Sequence, residues 1–469
     1  MLQPLTLLVL PLTLALLLGA IFGLRHLARR APQHDELGRS GFTIEGFTYA
    51  LMVLTAAYVL GVGYFFIRGT AYEGHLLEWL NIVVRLMHIT FGIAWIGASF
   101  YFVFLENALN RTHNIRDELA GNLWAVHGGG FYYLEKYKIA PKEIPRGLHW
   151  FKYEAYFTWL TGVSLLVVVY YFNASGMLID PQILPLSTTA AVSLSVGSFA
   201  VGWVLYDQLC KTALVQRPLW FAAVGLLILT GFAYFYCHVF SARAAYLHFG
   251  AMLGTLMVGN VFFVIIPGQK AMVNAALAGR PVDPAYGKRS LARSLHNNYF
   301  TLPVLFVMVS NHFPSTFGHA HPWAVLIGIT IGTAGVKHWL NLREKHQESG
   351  WVLPLSAALL LAVAFVTAPS AAPTAAAGAI TRPVRVQEVY GIVQTRCVQC
   401  HSSVPTDDVF KTAPNGVKYD SPADVVRLKD KILQRVVVTK TMPQNNKTQM
   451  TEEERALIAA WIGQGGKGE

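Results

Sequence analysis

Charged residues are scarce in this chain. Asp, Glu, Lys and Arg make up 13% of its 469 residues, 54% of the residues are hydrophobic, and the mean hydropathy is +0.41. Soluble proteins carry about 25% charged residues, so the composition excludes a wholly soluble protein and predicts a domain embedded in a lipid bilayer. No run of Lys or Arg stands apart from the apolar segments, so the net charge of +11 is no sign of nucleic-acid binding.

Cysteine is rare as well, with only four residues in the chain. Cys210 and Cys237 lie in or beside apolar segments and are typical of small buried hydrophobic residues. A disulfide framework is therefore not expected. Cys397 and Cys400 belong to a separate motif near the C-terminus.

Apolar segments near the length of about 20 residues that a spanning helix needs recur along the chain. We count ten, at about residues 2–24, 47–67, 79–104, 156–172, 186–206, 219–240, 244–266, 299–313, 322–340 and 351–368. The first is followed by Arg25 and lacks a basic leader, which favours a retained anchor over a signal peptide. The pattern predicts an all-α, polytopic transmembrane helix bundle of about ten spans.

Positive charge is distributed unevenly between alternate loops. One set of loops carries 21 Lys and Arg residues, whereas the other set holds only Arg68 and Arg243. Because cytoplasmic loops carry the excess of Lys and Arg, we expect both termini outside the cytoplasm. In a bacterial inner membrane, everything after residue 368 would then be periplasmic.

The C-terminal part has a soluble composition and a haem-attachment motif. Residues 369–383 are rich in Ala and Pro and indicate a linker, and residues 384–469 suffice for one small domain. Cys397-Val398-Gln399-Cys400-His401 is a C-x-x-C-H sequence, in which two thiols add to the haem vinyl groups and the histidine ligates iron. A second ligand pair for zinc is absent. We therefore predict a small class I cytochrome c domain with covalent haem c.

Two methionines compete for the sixth position on the iron, which is usually Met in such domains. Met442 lies in a polar loop, whereas Met450 directly precedes the capping box Thr451-Glu452-Glu453-Glu454. A methionine at that position is more often a hydrophobic staple. Met442 is therefore the preferred ligand, and Met450 is the alternative.

Ionisable residues inside apolar segments are functional candidates because burying them in a membrane is costly. His88 lies in the third segment, with Arg85 one turn earlier, and His248 lies in the seventh, with Arg243 at its outer end. Either the two histidines ligate a b-type haem whose propionates lie near the arginines, or each hydrogen-bonds a neighbouring helix. The residues alone leave both interpretations open.

Two polar stretches on the predicted cytoplasmic side are candidates for a substrate site. His127 precedes Gly128-Gly129-Gly130 between aromatic residues, which suits close backbone approach, ring stacking and proton transfer; the alternative is a tight turn. His296-Asn297-Asn298-Tyr299 groups donors and acceptors that suit a polar heterocycle. Helix capping accounts for one of these asparagines but not for the cluster.

Several long motifs resemble one known family. They are Arg85-x-x-His88, the 95–102 and 124–130 stretches, Leu148-His149-Trp150-Phe151-Lys152-Tyr153-Glu154-Ala155-Tyr156, His296-Asn297-Asn298-Tyr299 with Thr301-Leu302-Pro303, and the terminal C-x-x-C-H. Together they resemble the membrane-bound urate hydroxylases (urate oxidases) fused to cytochrome c, from about residue 75 to the end. The third segment is also similar to the first helix of membrane protoporphyrinogen oxidases that bind haem b. Residues 1–74 depart from the family pattern and would add two spans to the membrane domain at 75–368.

The resemblance implies an enzyme of purine catabolism. Urate and water would give 5-hydroxyisourate, two protons and two electrons, without hydrogen peroxide, and the electrons would pass through haem c to a respiratory cytochrome or cytochrome c oxidase. His127 or Glu154 would take a proton from urate, Asn297 and Asn298 would contact the ring edges, and Arg85 or a cytoplasmic arginine would balance its charge. The alternatives are a non-catalytic, membrane-anchored electron carrier and, less favoured, a transporter with a redox-sensing cytochrome domain.

Overall fold

The structure is a computed structural model that describes residues 72–145, 147–347, 349–368, 380–410 and 412–468. The first two predicted spans and most of the predicted linker lie outside these residues. The chain divides into two compact units. The smaller comprises Met1–Trp79 and Pro145–Trp150, and in its described part His75 and Trp79 make an edge contact. The larger comprises Leu80–Ile144 and Phe151–Glu469.

Long helices dominate the described part of the chain up to residue 368. They are α1 (Tyr72–Ala108), α2 (Tyr153–Leu165, continued by a π-helical turn over Leu166–Tyr171), the short α3 (Ala174–Met177), α4 (Thr188–Leu209), α5 (Pro218–Val239), α6 (Ala242–Gly259), α7 (Ile266–Leu277), α8 (Pro284–Ser310), the short α9 (Pro314–Phe317), α10 (Pro322–Glu344) and α11 (Val352–Val366). A π-helical segment, Asn260–Ile265, joins α6 to α7.

Six helices of the described residues are long and apolar enough to cross a membrane. They are Glu73–Ala108, Tyr153–Tyr171, Thr188–Leu209, Pro218–Val239, Ala242–Leu277 and Pro322–Glu344. The tenth predicted segment forms a shorter apolar helix, α11. The eighth is the second half of α8, whose first half is polar, and α8 continues as a helix through Pro303.

One hairpin departs from the all-α prediction. Strands β1 (Leu119–His127) and β2 (Gly130–Tyr137) pair antiparallel, with His127 opposite Gly130. Gly128 and Gly129 form the turn with φ of 57° and 80°, and positive φ at both central residues matches the twist of a two-residue hairpin. The glycine-rich stretch is therefore a tight turn, the alternative interpretation of this sequence.

The apolar core of the larger unit centres on α6, which has more buried residues than any other helix described. It packs closely against its neighbours because its glycines lack side chains. A Cβ atom on Gly250 would lie 2.5 Å from Val307 of α8, and one on Gly259 would lie 2.4 Å from Trp203 of α4. Small residues allow membrane helices to approach in this way.

The C-terminal segment, residues 380–468, is helical with its own apolar core. Its helices are α12 (Val386–Arg396), α13 (Pro422–Arg427), α14 (Lys429–Ile432, continued by a π-helical turn over Leu433–Val438) and α15 (Glu452–Gly463), with short 3₁₀ turns at Pro414–Gly416 and Gln444–Asn446. The predicted capping box opens α15: Thr451 accepts from the Glu454 backbone and the Glu454 side chain accepts from Thr451. Trp461 fills the core at 1% exposure, on the side predicted for it.

Candidate functional site

A buried polar cluster surrounds the predicted His296-Asn297 pair. Arg293, His296 and Asn297 share one face of α8 because residues three and four apart in a helix are neighbours. This face meets Tyr206 of α4 and Asn260, which follows α6.

Hydrogen bonds within this cluster link Asn260, Tyr206 and His296. The Asn260 amide nitrogen donates to the Tyr206 hydroxyl at 2.8 Å, so that hydroxyl is free to donate to Nδ1 of His296, 2.9 Å away. His296 would then carry its own proton on Nε2 and act there as a donor. Its half-buried ring stacks on Phe221, with centroids 4.8 Å apart.

The nitrogen and the oxygen of the Asn297 carboxamide both have hydrogen-bonding partners inside the protein. Its amide nitrogen donates to the Met257 carbonyl at 3.0 Å, and its oxygen accepts from Asn260 at 2.8 Å. Arg293 is also paired, donating to Asp207 at 2.7 Å and to Asn260 at 3.0 Å. The structure therefore brings His296 and Asn297 together as predicted, but it gives Asn297 structural partners.

The other predicted proton acceptors lie elsewhere. His127 is exposed at the end of β1, and no hydrogen bond or ring contact of the described residues joins it to His296. Glu154 is half-buried in the first turn of α2. These two candidates do not belong to the cluster around His296.

The two intramembrane histidines each have one ring nitrogen fixed by a backbone carbonyl. Nδ1 of His88 lies 3.0 Å from the Thr158 carbonyl, and Nδ1 of His248 lies 2.8 Å from the Ala244 carbonyl. Haem-ligating histidines are oriented by such bonds. The buried Nε2 of His248 has no hydrogen-bonding partner among the described residues.

His88 and His248 nevertheless occupy separate surroundings. The ring of His88 packs against Gly162 of α2, and the ring of His248 is enclosed by Tyr170, Tyr236 and other aromatic residues at centroid distances of 4.6–6.0 Å. No hydrogen bond or ring contact between described residues links the two histidines. The orphaned nitrogen suits an iron ligand, but the structure does not pair it with His88. Arg85 donates to Asn81.

The C-x-x-C-H residues lie in a turn after α12. The turn after α12 is closed by the His401 backbone, which donates to the Cys397 carbonyl at 2.9 Å. Nδ1 of His401 lies 2.9 Å from the Val417 carbonyl, so Nε2 is left for iron. Burial raises the pKa of both thiols, Cys397 and Cys400, to about 12.

Two further observations in the C-terminal segment fit a haem. Met442 is half-buried beside the core, whereas Met450 is 3% exposed within it, as expected of a staple. The buried Nη1 of Arg435 has no partner among the described residues, and both burial and the charge of Arg243 lower the pKa of Arg435. Two guanidinium groups without an anion between them suit a haem propionate.

No group of three or more His, Cys, Asp or Glu side chains that could hold a metal ion occurs in the part of the chain that the structure describes.

Comparison with known protein families shows which family the chain belongs to. A model of the urate oxidase N-terminal family matches residues 74–368. The chain belongs to this family. The match begins within a residue of the predicted membrane-domain start and ends at its predicted limit. No curated protein and no solved structure matches the chain.

Membership of the urate oxidase N-terminal family points to an oxidoreductase that acts on urate. The matched region contains His88, His248 and the cluster around His296. It also contains Lys337, which lies inside the ninth predicted apolar segment, residues 322–340. A lysine inside an apolar segment is itself a signal for a functional residue, and that signal could have identified it.

Proposed function

We propose that this protein is a membrane-bound urate oxidoreductase that passes electrons to a covalently bound haem c in its own C-terminal segment. Urate and water would give 5-hydroxyisourate, two protons and two electrons, with no oxygen consumed at the urate site. The observation that carries the proposal is the family match over residues 74–368, followed in the same chain by C-x-x-C-H.

Haem c would be held by thioether bonds to Cys397 and Cys400 and by His401, with Met442 as the second axial ligand. When bound, the haem supplies a one-electron acceptor close to the membrane domain. Arg435 and Arg243 would neutralise a propionate. These assignments rest on the C-x-x-C-H spacing, the free Nε2 of His401 and the unpartnered Nη1 of Arg435 described above.

Direct contacts between the C-terminal segment and the membrane domain support electron transfer within one chain. Gln444 donates to the Gly176 carbonyl at 2.6 Å, and Asn445 donates to the Ile179 carbonyl at 2.6 Å. Both residues follow Met442 closely in sequence. The loop that would carry the iron ligand is therefore hydrogen-bonded to α3 and to the residues directly after it.

In the membrane domain, Tyr206 would position His296 as a further candidate for proton transfer, and Asn260 would hold Tyr206. Glu154 and His127 are the candidates for proton acceptor. His127 is exposed, so it can exchange protons with water. The unpartnered Nε2 of His248 would be one ligand of a b-type haem, for which the structure does not bring His88 into place as the second.

Charge asymmetry supports a bacterial inner-membrane location with the C-terminal segment in the periplasm. Covalent haem attachment of this kind also takes place outside the cytoplasm. The final acceptor would be a soluble or membrane cytochrome or a cytochrome c oxidase.

An anaerobic reduction experiment tests the proposal. Urate is added to the purified, oxidised protein without oxygen, and the haem c α-band is followed by absorption spectroscopy. We expect two haem equivalents to be reduced for each urate consumed. A His401→Ala variant, which lacks the proposed iron ligand, provides the control.

The separation of His127 from His296 is what the alternative of a non-catalytic electron carrier predicts, so the experiment must distinguish the two functions. A carrier would be reduced by a low-potential electron donor but not by urate. Haem c that stays oxidised with urate, yet is reduced by such a donor, would replace our proposal with that alternative. Separate b- and c-type α-bands in the same spectra would count the haems.

A further inference from the structure

Two fully buried polar side chains have no hydrogen-bonding partner in the part of the chain that the structure describes. Both atoms of the Asn298 carboxamide on α8 are unpaired, and so is the ammonium of Lys337 on α10. Each residue has 0% exposure. Unpaired polar groups are costly to bury, and a charged one especially so, which marks them as candidates for binding a ligand.

The two side chains lie at the same level of a packed helix pair. The Tyr299 hydroxyl and Nδ1 of His338 are 2.7 Å apart, which fixes the register of α8 against α10. Asn298 and Lys337 are the residues directly before these two. Asn341, one turn beyond Lys337 and 4% exposed, lies beside the same tyrosine hydroxyl.

A third helix closes the position around Lys337. The ammonium nitrogen lies 3.7 Å from the ring centroid of Phe100 on α1, a cation–π contact. The carboxylate of Glu344 on α10 instead accepts from Asn107 of α1 at 2.8 Å. No carboxylate among the described residues comes within 4.0 Å of the ammonium.

The same domain pairs its other fully buried cation. Arg293 is 6% exposed and has Asp207 and Asn260 as partners. The two asparagines of the predicted motif differ in the same way, because Asn297 has two partners and Asn298 has none. Among the described residues of this domain, Lys337 is thus a buried cation without an ion pair, and the charge of Glu344 acts on it only from more than 4.0 Å away.

We infer that Lys337 and Asn298, with Asn341, form the binding site for a planar heterocyclic anion, which in this family is the urate monoanion. The ammonium would neutralise the delocalised negative charge. The carboxamide of Asn298 has an NH₂ group that donates and an oxygen that accepts, side by side, and the pair matches an N–H/C=O edge of the ring. This inference rests on the proposed function and names the residues that hold its substrate.

Substrate binding without turnover provides the test. The full-length protein is reduced with dithionite, so that it cannot accept electrons, and radiolabelled urate is measured by equilibrium dialysis. We expect Lys337→Met to weaken urate binding at least about tenfold, since a charge-assisted hydrogen bond is lost. Lys345→Met, which removes an exposed lysine next to the end of the same helix, should bind urate as the wild type does.

Thermal stability gives a second readout that separates ligand binding from a structural role. Without urate, Lys337→Met should unfold at the same temperature as the wild type or higher, because a buried unpaired charge is removed. With urate, the wild type should be stabilised and the variant should not. A lysine needed for packing would instead give a variant that is less stable in both conditions.

An Asn298→Asp variant provides a second test should Lys337→Met fail to fold. The new carboxylate would pair with Lys337, raise stability and compete with urate, so binding should again weaken at least about tenfold. Unchanged urate affinity in the folded variants would overturn this site while leaving the proposed function intact. Absence of urate binding and oxidation in the wild type would overturn both.

Discussion

The two methionines of the C-terminal segment occupy different surroundings. Met450 is packed inside the core directly before α15, and its backbone exchanges hydrogen bonds with Asn446. Met442 lies at the edge of the core, held through its backbone by Arg435 and Arg455. One methionine is positioned by its side chain and the other by its main chain, which leaves the Met442 thioether available.

Replacement of each methionine by alanine should therefore have different effects. We expect Met442→Ala to lower the reduction potential of haem c, because a thioether ligand raises the potential, with little loss of stability. Met450→Ala should cost about 2–5 kcal/mol in the free energy of unfolding and leave the potential nearly unchanged. Redox titration and thermal unfolding measure the two effects. A lowered potential in Met450→Ala alone would reverse the ligand assignment.

Individual side chains also show what sequence reasoning can and cannot supply. His296 and Asn297 were identified as a pair because they are adjacent in the chain. Their partners Tyr206 and Asn260 were not identified, since they lie 90 and 37 residues away in sequence. Whether Asn297 or Asn298 is free depends on which neighbouring helix each one faces, and that information exists only in the packed structure.

At the level of elements, the contact between α3 and the C-terminal segment leaves little room for a side chain at Gly176. A Cβ atom there would lie 3.1 Å from Val409. We expect Gly176→Val to push the segment away and to slow reduction of haem c by urate at least about tenfold. Stopped-flow absorption spectroscopy measures the rate.

Gly197→Val is the matched control, because a Cβ atom on Gly197 of α4 meets no atom within 4 Å. Chemical reduction of haem c by dithionite should proceed equally in both variants. Equal rates of reduction by urate in Gly176→Val and the wild type would show that this contact is not on the electron path.

An ion pair in the C-terminal segment should make its stability depend on pH. Burial alone would raise the pKa of Asp407, but Lys447 and the backbone N–H groups of Phe410 and Val409 outweigh it and hold that pKa below its usual range. A carboxyl group with a lowered pKa stabilises the fold above its unfolded value, about 3.9. That contribution is lost as the pH falls below about 4 towards the folded pKa.

Acid titration of the full-length protein, followed by the haem Soret band, measures this dependence. Asp407→Asn should be less stable at neutral pH and should lose less stability between about pH 5 and pH 3 than the wild type. Asp430→Asn, at an exposed position, should retain the wild-type dependence. If Asp407→Asn lost as much stability as the wild type at acid pH, the Asp407–Lys447 ion pair would not be the cause of the pH dependence.

Elements with strong local signals could be predicted from the sequence. The capping box at Thr451 and the apolar face with Trp461 are set by neighbours within one or two turns, and the structure confirms both. The hairpin at residues 119–137 was missed as regular structure. Its strands are largely exposed and aromatic, so they lack the alternation of buried and exposed residues that predicts a strand.

At the scale of the whole molecule, the distribution of Lys and Arg predicts topology. Fusions of alkaline phosphatase, which folds only outside the cytoplasm, should be active when placed after residue 468 and inactive when placed after Arg217. Enzyme activity in intact cells measures both, and immunoblotting controls for expression. An inactive fusion after residue 468 would place the C-terminal segment in the cytoplasm and exclude haem attachment there.

The family could be recognised from the sequence because it rests on long motifs. The contacts between the C-terminal segment and residues 176–179 could not be predicted from the sequence. Nothing in the sequence of Gln444-Asn445 indicates that their amides bind the loop after α2, since any polar loop could carry the same residues. Contacts of this kind depend on geometry over more than 260 residues of sequence separation.

The two main-chain oxygens at Gly176 and Ile179 impose a condition on protein engineering. A foreign cytochrome grafted onto this membrane part would have to supply two carboxamides with the spacing of Gln444 and Asn445. A graft that covered the oxygens without such donors would lose about 1–3 kcal/mol for each one. Chimeras should therefore keep the native residues 443–446 and exchange only the sequence on either side.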